Sequence, residues 1–76
     1  MSRSFRPLPA DFWMQQIFEA KSARTGGVVR RKMQDIERNV GKPRFEAELI
    51  RRGYHAVQNG DQVVIFCNNQ IIQIIC

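Results

Sequence analysis

Histidine occurs once in this chain of 76 residues, at His55, and cysteine twice, at Cys67 and Cys76. One imidazole excludes a His-x-x-x-His metal pair, and any cluster that needs two histidines. Neither cysteine belongs to a C-x-x-C motif, and two thiols make no disulfide framework. No Lys or Arg follows Arg52, and the only acid after it is Asp61. Repeats, low-complexity tracts and the glycine spacings of phosphate-binding loops are all missing. No apolar run approaches the ~20 residues of a membrane span. The basic start Met-Ser-Arg-Ser-Phe-Arg-Pro has no apolar stretch behind it of the kind a secretory signal carries. Glu46 and Glu48, two apart on an expected helix, diverge rather than form an acid–base couple. These gaps lead to the expectation of a cytoplasmic protein with reduced thiols and no catalytic residues. They equally predict no cofactor, no metal, no membrane and no small-molecule substrate.

What is present is unevenly placed. Hydrophobic residues make up 43% and charged residues 25%, values of an ordinary globular domain rather than a disordered chain. All twelve Lys and Arg fall before residue 53, against six acids, for a net +6; the remainder carries −1. A basic half joined to a nearly uncharged one is the electrostatic footprint of an anionic partner. Solubility of a sticky sheet is the other reading of the same charge.

Residues 1–8 show no periodicity and are expected to be a flexible arm bearing Arg3 and Arg6, ahead of a single compact domain over residues 9–76. Pro9 suits a helical first turn. Trp13, Met14, Ile17, Phe18 and the stem of Lys21 recur at three- and four-residue steps, which predicts a helix over about residues 10–25 ended by Gly26-Gly27. Val28 to Arg30 follow two glycines without a cap and are expected to be a short extended lead into a helix over about residues 31–40. Gly41 ends that helix, Pro43 opens another over about residues 43–52, and Gly53 stops it. Within this last helix Glu48 and Arg52 are paired at i,i+4.

From Tyr54 onward the pattern changes to strands. Asn59-Gly60 is a strong hairpin signal, and as the two loop residues it sets Ala56 against Val63 and His55 against Val64. Asn68-Asn69 is a weaker turn that sets Phe66 against Ile71. The expected architecture is therefore α+β, with the helices packed on a three-stranded antiparallel meander over about residues 54–58, 62–67 and 70–75. One face collects Tyr54, Ala56, Val63, Ile65, Ile72 and Ile74 and should be core. The other holds His55, Val57, Gln62, Val64, Phe66, Ile71, Gln73 and Ile75, too apolar to be left bare. Either the first helix covers it or a second subunit does. The same register separates Cys67 from Cys76 by on the order of 20 Å, beyond disulfide reach.

The basic helices are the better functional lead. Arg30, Arg31 and Lys32 are consecutive, Arg31 shares a helical face with Gln34 and Arg38, and Arg51 and Arg52 close the next helix. Two short helices separated by Gly-Lys-Pro and followed by a hairpin are compatible with a winged helix-turn-helix. Against that arrangement, Glu46 and Glu48 on the would-be recognition helix repel phosphates, and the hairpin tip lacks a cation.

Two resemblances extend over parts of the chain. From Phe45 to Ile75 the order helix, Arg52-Gly53-Tyr54, strand, glycine turn and Val64-Ile65-Phe66 is similar to the HicA-type toxins, messenger-RNA interferases with a double-stranded-RNA-binding-like fold. That resemblance implies an RNA-binding shape. Where those proteins carry a catalytic histidine after the turn glycine, this chain has Asp61 and Gln62, and it lacks their last helix, so a catalytically degenerate form is what the likeness implies. Gly26-Gly27-Val28-Val29-Arg30-Arg31, Arg52-Gly53-Tyr54-His55-Ala56-Val57 and Val64-Ile65-Phe66-Cys67-Asn68 resemble a group of short uncharacterised bacterial proteins, some labelled phosphoribosylanthranilate isomerase. That label implies a (β/α)₈ barrel of roughly 200 residues or more, which 76 residues cannot build.

The leading expectation is a non-enzymatic module that contacts DNA or RNA phosphates through Arg24, Arg30, Arg31, Lys32, Arg38, Arg51 and Arg52. The alternative is a protein-interaction or homodimerisation module using the sheet face with His55, Val64, Phe66 and Ile71. The degenerate toxin-like fold is third.

Overall fold

Buried apolar side chains at helical spacing fix the first layer. Met14, Ile17 and Phe18 are all buried on one side of α1 (Pro9–Glu19), with Trp13 packed at its margin. The computed structural model describes residues 9–76; the expected arm of residues 1–8 lies outside the described residues. After α1 come α2 (Lys21–Arg24), β1 (Val28–Lys32), α3 (Met33–Asn39), α4 (Lys42–Arg52), β2 (His55–Asn59) and β3 (Gln62–Phe66). The α+β class holds, with a three-stranded antiparallel sheet in the order β1-β3-β2.

The single helix expected over residues 10–25 is two. Ala20 is extended, with ψ 147°, and this break lets α2 turn Ala23 into the core while Lys21 stays exposed. Continuing α1 would have laid Lys21 along the apolar face, with its ammonium near groups that cannot solvate it.

The sheet keeps its predicted hairpin but changes its third strand. Residues 70–75 are not a strand, and the position beside β3 belongs to β1, where Val28 pairs with Phe66, Val29 with Ile65 and Lys32 with Gln62. The Cys67 amide then donates to the Gly27 carbonyl (2.9 Å), extending the same pairing. With β2 on its other side, β3 has no edge left for a returning chain. Asn68-Asn69 therefore makes no hairpin. Instead the Asn68 side-chain amide donates to the Gly26 carbonyl (3.0 Å), and its Oδ1 accepts from the Gln70 amide (2.9 Å), an Asx-type turn.

The extended start at Val28 is confirmed and runs further than expected, through Arg31 and Lys32. The next helix begins at Met33 rather than near Arg31, because the ladder to β3 continues to Lys32 and the Asp61 carbonyl accepts the Met33 amide (2.8 Å). Arg31 and Arg38 consequently share no helical face.

The hairpin loop is Gly60-Asp61, one residue later than predicted, so His55 pairs with Phe66, Ala56 with Ile65 and Asn59 with Gln62. Gly60 has φ 64° and no non-glycine among the described residues has a positive φ. That suits a turn needing one left-handed residue, at its first central position, rather than the two that Asn59-Gly60 would require. The slip changes each partner by two residues and preserves which face each side chain takes. Val63 and Ile65 are buried, with Tyr54 and Ala56 packed against them, as the dry face requires. Ile72 and Ile74, assigned to that face, are exposed.

Phe45 and Leu49 from α4 and Ile36 from α3 complete the core. Gly53 ends α4 in the left-handed conformation (φ 74°), its amide bonding the Ile50 carbonyl (3.1 Å) and the Tyr54 amide the Leu49 carbonyl (2.9 Å). This is the Schellman pattern, which delivers Tyr54 and β2 back onto the helix that precedes them.

Membership of β1 in the sheet has a direct check by urea unfolding. Val29→Ala is expected to cost about 2 kcal/mol, from two lost buried carbons plus a small cavity. Ile65→Ala should cost about 2–5 kcal/mol, and Val28→Ala, on the outer face of the same strand, under about 1 kcal/mol. Equal effects at Val28 and Val29 would contradict the register.

Candidate nucleic-acid interface

Burial alternates along the strands: Val29, Val63 and Ile65 face the helices, and their neighbours do not. The opposite face is open. Pairing arranges it as three rows across the sheet, Val28–Phe66–His55, Arg30–Val64–Val57 and Lys32–Gln62–Asn59. Val28, Val57, His55, Arg30 and Lys32 are exposed, while Val64 and Phe66 are half-buried. The predicted interface residues His55, Val64 and Phe66 thus lie together. Ile71 does not join them, because the expected pairing with Phe66 never forms; it belongs to the unpaired segment after β3 and is 83% exposed.

The seven predicted phosphate-binding cations divide into two groups by what they touch. Arg30, Arg31 and Lys32 are gathered on β1. Arg30 and Lys32 stand on the open face about 7 Å apart along the strand, and Arg31 turns to the other side, where its guanidinium donates to the Arg30 carbonyl (2.6 Å). These three, with Asp35 and Gln62, line a hollow of about 240 Å³ at the sheet edge. Arg24 on α2 and Arg38 on α3 are exposed. Among the described residues, none of these five cations forms an ion pair with a carboxylate.

Arg51 and Arg52 are otherwise engaged. Both reach Glu48, Arg51 through Nη2 (2.6 Å) and Nε (3.2 Å) and Arg52 through Nε (2.6 Å). The hydrogen bond from Arg51, supported by that from Arg52, holds the Glu48 carboxyl below its ordinary range against the upward pull of its partial burial. Arg52 also lies over the Phe18 ring, 4.2 Å from its centroid, and Phe18 tilts against Tyr54 at 5.8 Å. Lys42 pairs with Glu46 and Arg44 with Asp11. The acids on α4 that argued against phosphate contact therefore bind cations of their own helix. Sequence reasoning read the Glu48–Arg52 spacing and the extended backbone at Arg30, but missed Val28 as part of the open face and the strand placement of Lys32. Their one signal was the β-branched pair directly after two glycines.

Among the described residues no group of three His, Cys, Asp or Glu side chains is placed to hold a metal ion, and no helix is long and apolar enough to cross a membrane. Both cysteines are free, Cys67 buried and Cys76 exposed. Burial pushes the Cys67 thiol up, against a weaker opposite pull from the Arg52 charge. Compared with protein-family models, curated proteins and solved structures, the chain matches none.

Arg52→Ala should cost about 1 kcal/mol in denaturant unfolding, combining the ring contact with half of the Glu48 pair, and Arg51→Ala, at a fully exposed guanidinium, clearly less. Because the folded Glu48 carboxyl is depressed, its contribution is full above the ordinary carboxylate range and fades as pH falls through the folded value. Glu48→Gln should flatten that part of the stability–pH curve; an unchanged acid limb would remove Glu48 from the account. In thiol labelling Cys76 should react at once and Cys67 only as fast as the fold opens.

Proposed function

We propose that this protein is a cytoplasmic, non-enzymatic module that binds single-stranded nucleic acid, DNA or RNA, by its phosphates across the open face of its sheet. The observation that carries this reading is the row of cations on β1. Arg30 and Lys32 stand beside Val64 and Gln62 with no carboxylate partner among the described residues, whereas the cations of α4 are paired. A three-stranded face with cations along one side and an aromatic ring within it suits backbone contact plus stacking of an unpaired base. Arg24 and Arg38 extend the positive field for approach.

A second reading is favoured by the order of the elements. α3, the Val40-Gly41 turn, α4 and the β2–β3 hairpin follow one another as in a winged helix-turn-helix, which would instead offer the exposed side of α4, with Arg44, Ala47 and Arg51, to a duplex groove.

Salt titration of binding to an unstructured oligonucleotide and to a duplex tests both. The sheet-face reading expects tighter binding to the single strand, and a slope of log K on log salt that falls in magnitude by about 1.4 when Arg30 and Lys32 are both changed to Gln. Phe66→Glu should abolish that binding without altering the oligomeric state; conversion of a dimer to a monomer by Phe66→Glu would make this face a contact between copies instead. Ala47→Glu should leave single-strand binding intact, and loss of duplex binding in that variant alone would favour the helix-turn-helix. No binding at low salt sinks both.

A further inference from the structure

Among the described residues the sheet has two free edges, and they are protected unequally. β1 presents Arg30, Arg31 and Lys32, the charged kind of edge that discourages another strand. β2, at the other side, reads His55-Ala56-Val57-Gln58-Asn59 and carries no Lys, Arg, Asp, Glu or Pro. Beneath that edge, between β2 and α4, lies a groove of about 330 Å³ whose walls include Phe45, Leu49, Ile50, Ala56 and Val57. Ile50 is 77% exposed there, an unusual position for an isoleucine on a helix whose Phe45 and Leu49 already serve the core.

The same chain carries a segment that fits such an edge. Ile71-Ile72-Gln73-Ile74-Ile75 has no charge, proline or glycine, is β-branched at four of its five positions, and makes no ladder. Ile74 and Ile75 are 88% and 98% exposed. A segment of this composition with its backbone unpaired is a strand lacking a sheet.

Its own β2 is a poor recipient. The chain leaves the central strand at Phe66, and Asn69 already lies against the α4–β2 connection, its Cβ 4.0 Å from where a side chain on Gly53 would start. To reach the β2 edge of the same copy the segment would have to cross that connection at the same end of the sheet, which folds avoid. It would also run parallel to β2. Another copy imposes neither restriction.

We propose that residues 71–75 of one copy add as an antiparallel strand to the free β2 edge of a second copy, and the reverse, giving a two-fold symmetric dimer. Ile72 and Ile74 enter the groove between β2 and α4, and Ile71 and Ile75 lie beside Val57 on the open face. Backbone pairing supplies the generic part of such recognition and alternate side chains in the groove supply the specific part. The interface is self-complementary, so it closes at two copies. It leaves Arg30 and Lys32 uncovered and is independent of the nucleic-acid reading.

Sedimentation velocity on the full chain, from low micromolar to submillimolar concentration, tests this. The wild type should sediment as a dimer. I74K/I75K, altering the incoming strand, and I50E, altering the groove, should each sediment as a monomer with an unchanged far-ultraviolet circular dichroism spectrum, since all three side chains are exposed in the single copy. A monomeric wild type overturns the proposal, and so does a dimer that survives either variant.

Discussion

β3 has a neighbour on each side, and that double pairing constrains every other element. Its buried pair, Val63 and Ile65, needs a helical layer on one face only, so Ile17, Ile36, Phe45 and Leu49 converge there from three helices. Its pairing with β1 holds the chain extended until Lys32 and sets where α3 can begin, with the Asp61 carbonyl accepting the first helical amide. Its pairing with β2 requires α4 to end abruptly and reverse, which Gly53 does. Because the described helices all gather on one side, they leave the other side of the sheet uncovered.

That asymmetry also sorts the charge. Lys42, Arg51 and Arg52 on α4 lie among carboxylates three and four residues away, and they close local pairs that are worth little energy but reduce their reach for a distant anion, while Arg44 is taken by Asp11 of α1. Cations on β1 have strand neighbours instead, and the residues across from them on β3 are Gln62, Val63 and Val64. A strand in a sheet of uncharged partners leaves its cations available. The count of cations alone did not distinguish these situations, since both stretches are rich in them, three over Val28–Lys32 and four over Lys42–Arg52.

What the sequence made legible was local. Helix ends at Gly26, Gly41 and Gly53, the hairpin near Gly60, and the division of Ala56, Val63 and Ile65 from Val57, Val64 and Phe66 all follow from short-range spacing, and they hold. The hairpin frame was displaced because two alternative loops differing by one residue conserve the parity of the faces, so hydrophobic alternation could not choose between them. The third strand was misassigned for a different reason. Residues 70–75 have the stronger β-pattern, but strand pairing depends on which edge is already occupied, and β1 reaches β3 from thirty or more residues away. Lys32 was misplaced along with it, since the face it shares with Arg30 exists only once β1 runs past the expected extended lead.

The sheet order has a consequence for how the chain assembles. β2 and β3 are joined by two residues and can zip on their own, at the speed of an isolated hairpin, microseconds. Adding β1 before the chain between Lys32 and Gln62 has compacted carries the entropic cost of closing the whole intervening loop, so β1 pairing is expected to follow. The hairpin and α4, linked through Gly53 and Tyr54, are therefore the expected early nucleus. On that order the strand bearing the cations is expected to dock last, so the open face, with its basic row, would be completed in the final step of folding rather than the first.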